Sequence, residues 1–466
     1  MSESASLRGR IEHHVEENYT IWLIILGLAG WAMASYDFNL LILTIPNISE
    51  DLGLSASAVG SLVFIIYAAQ FFVTLLVGRA MDDYGRLRVW QWALVGTAIF
   101  TGLTYFVAGF WQLAVVRVLA SAFAQSELAI SITLINEQAP TENRGFLYSI
   151  VQGGWPVGVF LASGIYSLFI GYGWRVVFVI GILPLIVVIF GRWFLHESEQ
   201  WEALQEIRQR REESDDVDVS DLTEEYDIDP AALESTSYRK LFSTPGPIRR
   251  QLVLLSIVWL FYAASFVATN SYITDWLTRY GSWSAGQTGT LLLVAGGIGF
   301  FFYLIGGYLG EQFGRREVLI GTAIFVAPLN LLFYFYHPPT LLGWLVYLAI
   351  YQATNGTWSG AGYAYWAESF PTRVRGSAVG WLGSMFALGL FIGSGIWTLV
   401  VSSANLSTAW LVVAVGLALG QLLVFWLPHI EPGKPLEDAN VERIDQDRRD
   451  VGTTTADSTQ GDQISE

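Results

Sequence analysis

The sequence predicts an all-α polytopic membrane protein, with twelve transmembrane helices arranged as two six-helix halves. Three observations carry that prediction. Of 466 residues, 53% are hydrophobic and only 14% are charged, where a soluble chain of this length carries about 25% charged residues. Apolar runs such as "IWLIILGLAGWAMA" (21–34) belong to stretches that reach the roughly 20 residues a helix needs to cross a bilayer. Two charged motifs then recur about 230 positions apart, as a duplicated half requires.

The apolar windows between polar breaks give spans near 20–46, 57–79, 88–108, 111–136, 145–170 and 174–195. Six more follow near 251–278, 285–310, 316–336, 340–366, 377–402 and 407–428. The expected domains are a cytoplasmic N-terminus (1–19), an N-terminal half (20–195), a central loop (196–250), a C-terminal half (251–428) and an acidic tail (429–466). The first residues are polar and lack a secretory layout, so span 1 is expected to be retained. The stretch "WEALQEIRQRREES" in the central loop reads as an amphipathic helix on the cytoplasmic face.

Orientation follows from the basic residues. With both termini inside, Arg8, Arg10, Arg86, Arg88, Arg144, Arg315, Arg316, Arg373 and Arg375 all face the cytoplasm. Only Arg175 and Arg279 remain outside, as the positive-inside rule expects. The expected location is therefore the plasma membrane, with both termini cytoplasmic. The net charge of −16 sits largely in the central loop and the tail, and it argues against nucleic-acid binding. Cysteine is absent, which excludes disulfides and thiol ligands.

The repeats fix how the halves correspond. "GRAMDDYGR" (78–86) matches "GYLGEQFGR" (307–315), and Arg86 and Arg315 lie 229 positions apart. "EQAPTENRG" (137–145) matches "ESFPTRVRG" (368–376), with an offset of 231 from Arg144 to Arg375. Both pairs fall in equivalent loops, an arrangement associated with alternating-access carriers.

On these residues the chain resembles the major facilitator superfamily over nearly its whole membrane region. "YDFNLLILTIPNISEDLGLS" in span 1, "RVLASAFAQSE" in span 4 and "GWRVVFVIGILPLIVVIFGRWFLHESEQW" closing span 6 are similar to proton-coupled metabolite and carboxylate symporters, sialic-acid-type carriers included. Sugar porters share the Glu-x-x-Pro-x-x-x-Arg-Gly corners. Span 5 reads "GGWPVGVFLASG", without the Gly-Pro pair usual in drug antiporters. The resemblance implies that Asp82, Arg86, Glu137 and Arg144 form one cytoplasmic latch, and Glu311, Arg315, Glu368 and Arg375 a second. The alternative for these residues is turn and interface charge without a gating role.

Charged residues inside the spans are few, and each costs roughly 2.5–3.5 kcal/mol at a helix centre on insertion scales. Asp37 in span 1 and Arg117 in span 4 lie at comparable depth, and because the resemblance implies contact between spans 1 and 4, they are expected to pair. The pair serves either as a proton-coupling device or as a static buried bridge. Glu127, about 15 Å further along span 4, is a second proton or substrate candidate; its alternative is a carboxyl hydrogen-bonded to a neighbouring helix. Asp275 reads as an outer-end residue.

Gln152, Trp155, Tyr262, Asn270, Asn355 and Tyr363 are the candidate substrate contacts, because they combine rings, amides and hydroxyls in spans 5, 7 and 10. In one helix such residues also serve as interhelical glue. The sequence carries no nucleotide fingerprint and no clustered metal ligands, so neither a cofactor nor an enzymatic activity is expected. The expected function is proton-coupled import of a small polar metabolite, with an organic acid favoured by the resemblance, by a monomeric carrier in the lipid bilayer. The alternatives are a sugar or polyol porter and a non-transporting sensor on the same fold.

Overall fold

A computed structural model describes residues 18–139, 144–213, 246–273, 276–277, 283–370 and 372–430. Among the described residues there are helices and turns but no strand. Helices occupy all twelve predicted positions. In the first set, spans 1 to 4 are Tyr19–Leu52, Ala56–Tyr84, Arg86–Leu103 and Phe110–Gln138. Span 5 comprises Arg144–Gln152 and Gly154–Phe169, and span 6 comprises Trp174–Val179 and Pro184–Phe194. Spans 7 to 11 are Gly246–Asn270, Ala285–Phe313, Arg315–Phe335, Leu341–Glu368 and Thr372–Ser403. Span 12 begins as Leu406–Trp410 and continues through a π-helical turn, Leu411–Gly416, into Leu417–Trp426.

Ten of these helices are long and apolar enough to cross a bilayer on their own composition. Spans 3 and 10 fall outside that set. Span 3 has 18 residues and opens on two arginines, while Gln352, Asn355 and several hydroxyls dilute span 10. Phe72, Trp111, Leu168, Phe301, Phe325 and Leu399 are more than 60% exposed at the helix surface. A belt of this kind is costly in water and suited to lipid.

The breaks within spans 5 and 6 have a common cause. Pro156 lacks the N–H that would bond Gln152, and the helix interrupts at Gly153. Pro184 likewise cannot bond Ile180, and the chain tightens there into a single 3-10 turn, Ile180–Ile182. The predicted amphipathic helix in the central loop is present as Glu199–Glu213, with Ala203 and Ile207 buried.

Close approach of backbones sets the strongest packings. Gly154 and Gly158 of span 5 lie against span 1, where a Cβ on Gly154 would sit 2.9 Å from the Ala32 nitrogen. Gly389 and Gly393 of span 11 lie against span 7 in the same way, a Cβ on Gly389 reaching 2.7 Å from Ala263 Cβ. Both pairs have the small-xxx-small spacing that lets helices meet in a membrane. Spans 3 and 4, 2 and 4, 8 and 10, and 7 and 12 pack as further neighbours, while spans 2 with 11 and 5 with 8 meet along two seams. Phe64 and Phe391 stack across the first seam at 4.5 Å between ring centroids.

Candidate functional site: a central cavity beside a buried charge network

Span 1 carries Asp37 into the space between spans 3, 4 and 6. Arg117 of span 4 donates from Nη1 to Asp37 Oδ1 at 2.9 Å and from Nη2 to Oδ2 at 2.8 Å, a bidentate pair. Nη2 also reaches the Asp37 carbonyl at 3.3 Å, Thr101 of span 3 donates its hydroxyl to Asp37, and the guanidinium lies over the Phe178 ring. The structure thus brings together the two residues that the sequence pairs, and both are 0% exposed.

Glu127 is equally buried and differently served. Trp90 Nε1 of span 3 donates to its Oε1 at 2.9 Å, and Ser131 Oγ donates to the same oxygen at 2.7 Å. Among the described residues, Oε2 has no hydrogen-bond partner and no basic side chain pairs with the group. Gly30 makes room for it: a Cβ there would lie 2.9 Å from Trp90 Nε1 and would collide with the carboxylate. Neither Glu127 nor the Asp37–Arg117 pair touches the central cavity. They stand behind its wall, among spans 1, 3 and 4.

The cavity itself lies between spans 1, 2, 4 and 5 on one side and spans 7, 8, 10 and 11 on the other. Of the predicted contacts, Gln152, Trp155, Tyr262 and Tyr363 line it. Gln152 donates to the Tyr148 hydroxyl, and Trp155 packs on Trp31, Phe38 and Phe266 with centroids 5.4, 5.8 and 6.1 Å away. Asn355 stands behind the wall, where it accepts from the Tyr262 hydroxyl at 2.7 Å. Asn270 lies off the cavity, donating to the Phe266 carbonyl of its own helix at 3.2 Å and bonding Tyr351 of span 10.

Sequence reasoning missed Gln70, Ser121 and Gln125, all of which line the cavity. Gln70 is a lone amide in the apolar run of span 2, which was the available signal. Ser121 and Gln125 lie inside the stretch already marked in span 4, but their face of the helix was not legible. Among the described residues no Lys, Arg, His, Asp or Glu lines the cavity.

On the predicted cytoplasmic side, each of the two repeated corners holds an ion pair. Arg86 forks onto Glu137 at 3.1–3.2 Å, and its backbone N–H donates to Glu197 at 2.7 Å. Arg315 bonds Glu368 at 2.5 Å and Glu311 at 2.7 Å. Asp275, and the side chains of Asp82, Arg144 and Arg375, lie outside the described residues. Among the described residues no cluster of His, Cys, Asp and Glu is fit to hold a metal.

Comparison with known proteins follows the same lines. The profile of the Major Facilitator Superfamily matches residues 27–299 and 254–456. A putative metabolite transport protein of Haemophilus influenzae is 28% identical over 432 residues, spanning 89% of this chain and 98% of its own length. The cis,cis-muconate transport protein of Acinetobacter baylyi is 24% identical over 420 residues, spanning 88% of this chain and 94% of its own. A solved structure of the proton:xylose symporter XylE superposes with a TM-score of 0.72 at 18% identity, covering 91% of this chain and 99% of that one, and so shares the fold. The chain belongs to the Major Facilitator Superfamily and is a multi-pass membrane transporter rather than an enzyme.

Proposed function

We propose that the protein is a proton-coupled symporter that imports a small organic acid by alternating access, from the outside of the plasma membrane to the cytoplasm, with both termini inside. The observation that carries this reading is Glu127, a fully buried carboxyl with one oxygen unpartnered and no counter-cation. A charge left alone at that depth is costly, and a bound proton removes the cost. Asp37, held by Arg117, is the second group that a change in helix packing can release to a proton.

In this mechanism substrate enters the central cavity between the halves 20–195 and 251–428. Spans 1 and 4 connect the cavity wall to Glu127 and Asp37, so protonation and occupancy act on the same two helices. Rocking of the halves opens the Arg86–Glu137 and Arg315–Glu311–Glu368 latches, and proton and substrate leave inside. The similarity to a muconate transporter supports an acid as cargo.

A sugar or polyol porter is the second reading, favoured by a cavity wall without any charged side chain. The experiment is uptake of radiolabelled cis,cis-muconate and xylose into proteoliposomes at two external pH values. Acid uptake is expected to rise as external pH falls and to collapse with a protonophore. Asp37→Asn with Glu127→Gln is expected to remove the pH dependence; uptake that the double variant leaves unchanged would end the proton-coupling claim.

A further inference from the structure

Four side-chain polar atoms in the cavity wall have no hydrogen-bond partner: Trp31 Nε1, Gln70 Oε1, Ser121 Oγ and Gln125 Nε2. The residues are at most 7% exposed. Buried polar groups are almost always satisfied in folded proteins, and an unsatisfied one costs about 1–3 kcal/mol. Four such atoms, on spans 1, 2 and 4, fall in the wall of one cavity. Two other polar groups of the wall are engaged: Tyr262 with Ser359 at 3.0 Å, and Gln152 with Tyr148.

We infer that Trp31, Gln70, Ser121 and Gln125 form a cation-free subsite that receives the carboxyl group of the substrate. This deepens the symporter reading and rests on it. Three of the free atoms are donors, the indole N–H, the hydroxyl and the amide NH2, against one amide oxygen. A donor-rich surface suits an acceptor-rich group, which a carboxyl is and a run of sugar hydroxyls is not. Gln70 is held in place by its own Nε2, which reaches the Ser121 carbonyl at 3.5 Å and ties span 2 to span 4.

Most of the rest of the wall is aromatic, including Phe38, Tyr67, Trp155, Phe266, Tyr363 and Phe386. Ring faces on several sides favour a flat, unsaturated body behind the carboxyl. Arg117, which would otherwise be the natural carboxylate receptor, is consumed by Asp37 behind the wall. Neutral donors leave the substrate's negative charge unbalanced in the cavity. The accompanying proton therefore supplies the balance that no side chain of the wall does.

The test uses tryptophan fluorescence of the purified full-length protein, titrated with benzoate, benzamide, cis,cis-muconate and xylose. At least one acid is expected to bind saturably, and benzamide is expected to bind within about tenfold of benzoate, since no cation discriminates between them. Gln125→Leu and Ser121→Ala are each expected to weaken acid binding tenfold or more at an unchanged thermal midpoint. Gln125→Glu is expected to abolish acid binding and spare benzamide. Acid affinity unchanged in both Gln125→Leu and Ser121→Ala overturns the subsite. Binding of xylose alone, or of none of the four probes, overturns its assignment to a carboxyl. Failure of the proton-coupled reading would show separately, as acid uptake that ignores a pH gradient while the binding losses persist.

Discussion

Asp37 and Glu127 are both fully buried carboxyls, yet their surroundings give them different tasks. Asp37 accepts two guanidinium bonds and one hydroxyl, whereas Glu127 has an indole, a hydroxyl and an idle oxygen. Gly30 is the residue that makes the second arrangement sterically feasible. Gly30→Ala is expected to push Glu127 off Trp90, at a cost of about 1–3 kcal/mol for overpacking, and to flatten the pH dependence of uptake. Gly27→Ala, one turn away on the same helix, meets only Val151 and Ile135 side chains at 3.4–3.6 Å and is expected to leave both unchanged. Thermal unfolding and pH-jump uptake of the two variants side by side check this. Charge, depth and the family resemblance together made Asp37, Arg117 and Glu127 legible in the sequence, because ionisable residues in apolar runs are rare. The indole and hydroxyl on Glu127 were not, since they depend on which faces of spans 3 and 4 meet.

At the level of elements, the junctions between spans 2 and 3 and between spans 8 and 9 repeat one design. Gly85 and Gly314 both adopt φ of 95°, where a Cβ clashes with the chain, and each opens the next helix on an arginine. Glu197, at the end of span 6, accepts from the Arg86 and Leu87 amides at 2.7 and 3.0 Å, which caps the positive end of span 3. At the second junction Glu317 and His429 stand at a comparable place, 2.8 Å apart. Gly85→Ala combines left-handed strain with a Cβ only 2.9 Å from the Glu197 carboxyl carbon. It is expected to destabilise by about 1–3 kcal/mol from the positive-φ backbone alone, and Gly314→Ala by a similar amount. A lowered thermal midpoint in both, with the effect equal in sign, checks the equivalence of the two junctions. The repeat of Gly and Arg was readable in the sequence; the capping by Glu197 from a distant span was not.

For the whole molecule, the seams between spans 2 and 11 and between spans 5 and 8 are where motion must occur if the halves rock. At one end of the first seam, a Cβ on Gly60 would lie 3.4 Å from Thr398 Cβ, close to the 3.5–4.5 Å of a disulfide. The chain contains no cysteine, so Gly60→Cys with Thr398→Cys introduces one unambiguous pair. Oxidation is expected to cross-link the two spans and stop uptake, and reduction to restore it. Transport that continues in the fully cross-linked protein would exclude opening at this seam. The mass shift on a non-reducing gel reports cross-linking independently of transport.

Composition, span count, the doubled corners and the buried charges were determined by the sequence alone, because each depends on residue type or on local spacing. The bilayer makes that possible: it forces every span into a helix of fixed length and makes an unpaired charge expensive wherever it falls. What only the tertiary structure decided is which helix faces converge. Rotation of each span about its axis is set by close contacts such as those at Gly154, Gly158, Gly389 and Gly393. The resulting packing of the spans puts Gln70, Ser121 and Gln125 into the cavity, leaves Asn270 and Asn355 out of it, and seats Glu127 behind its wall. One helix turn holds nearly four residues, so a polar residue read in a span has no known partner until its neighbours are in place.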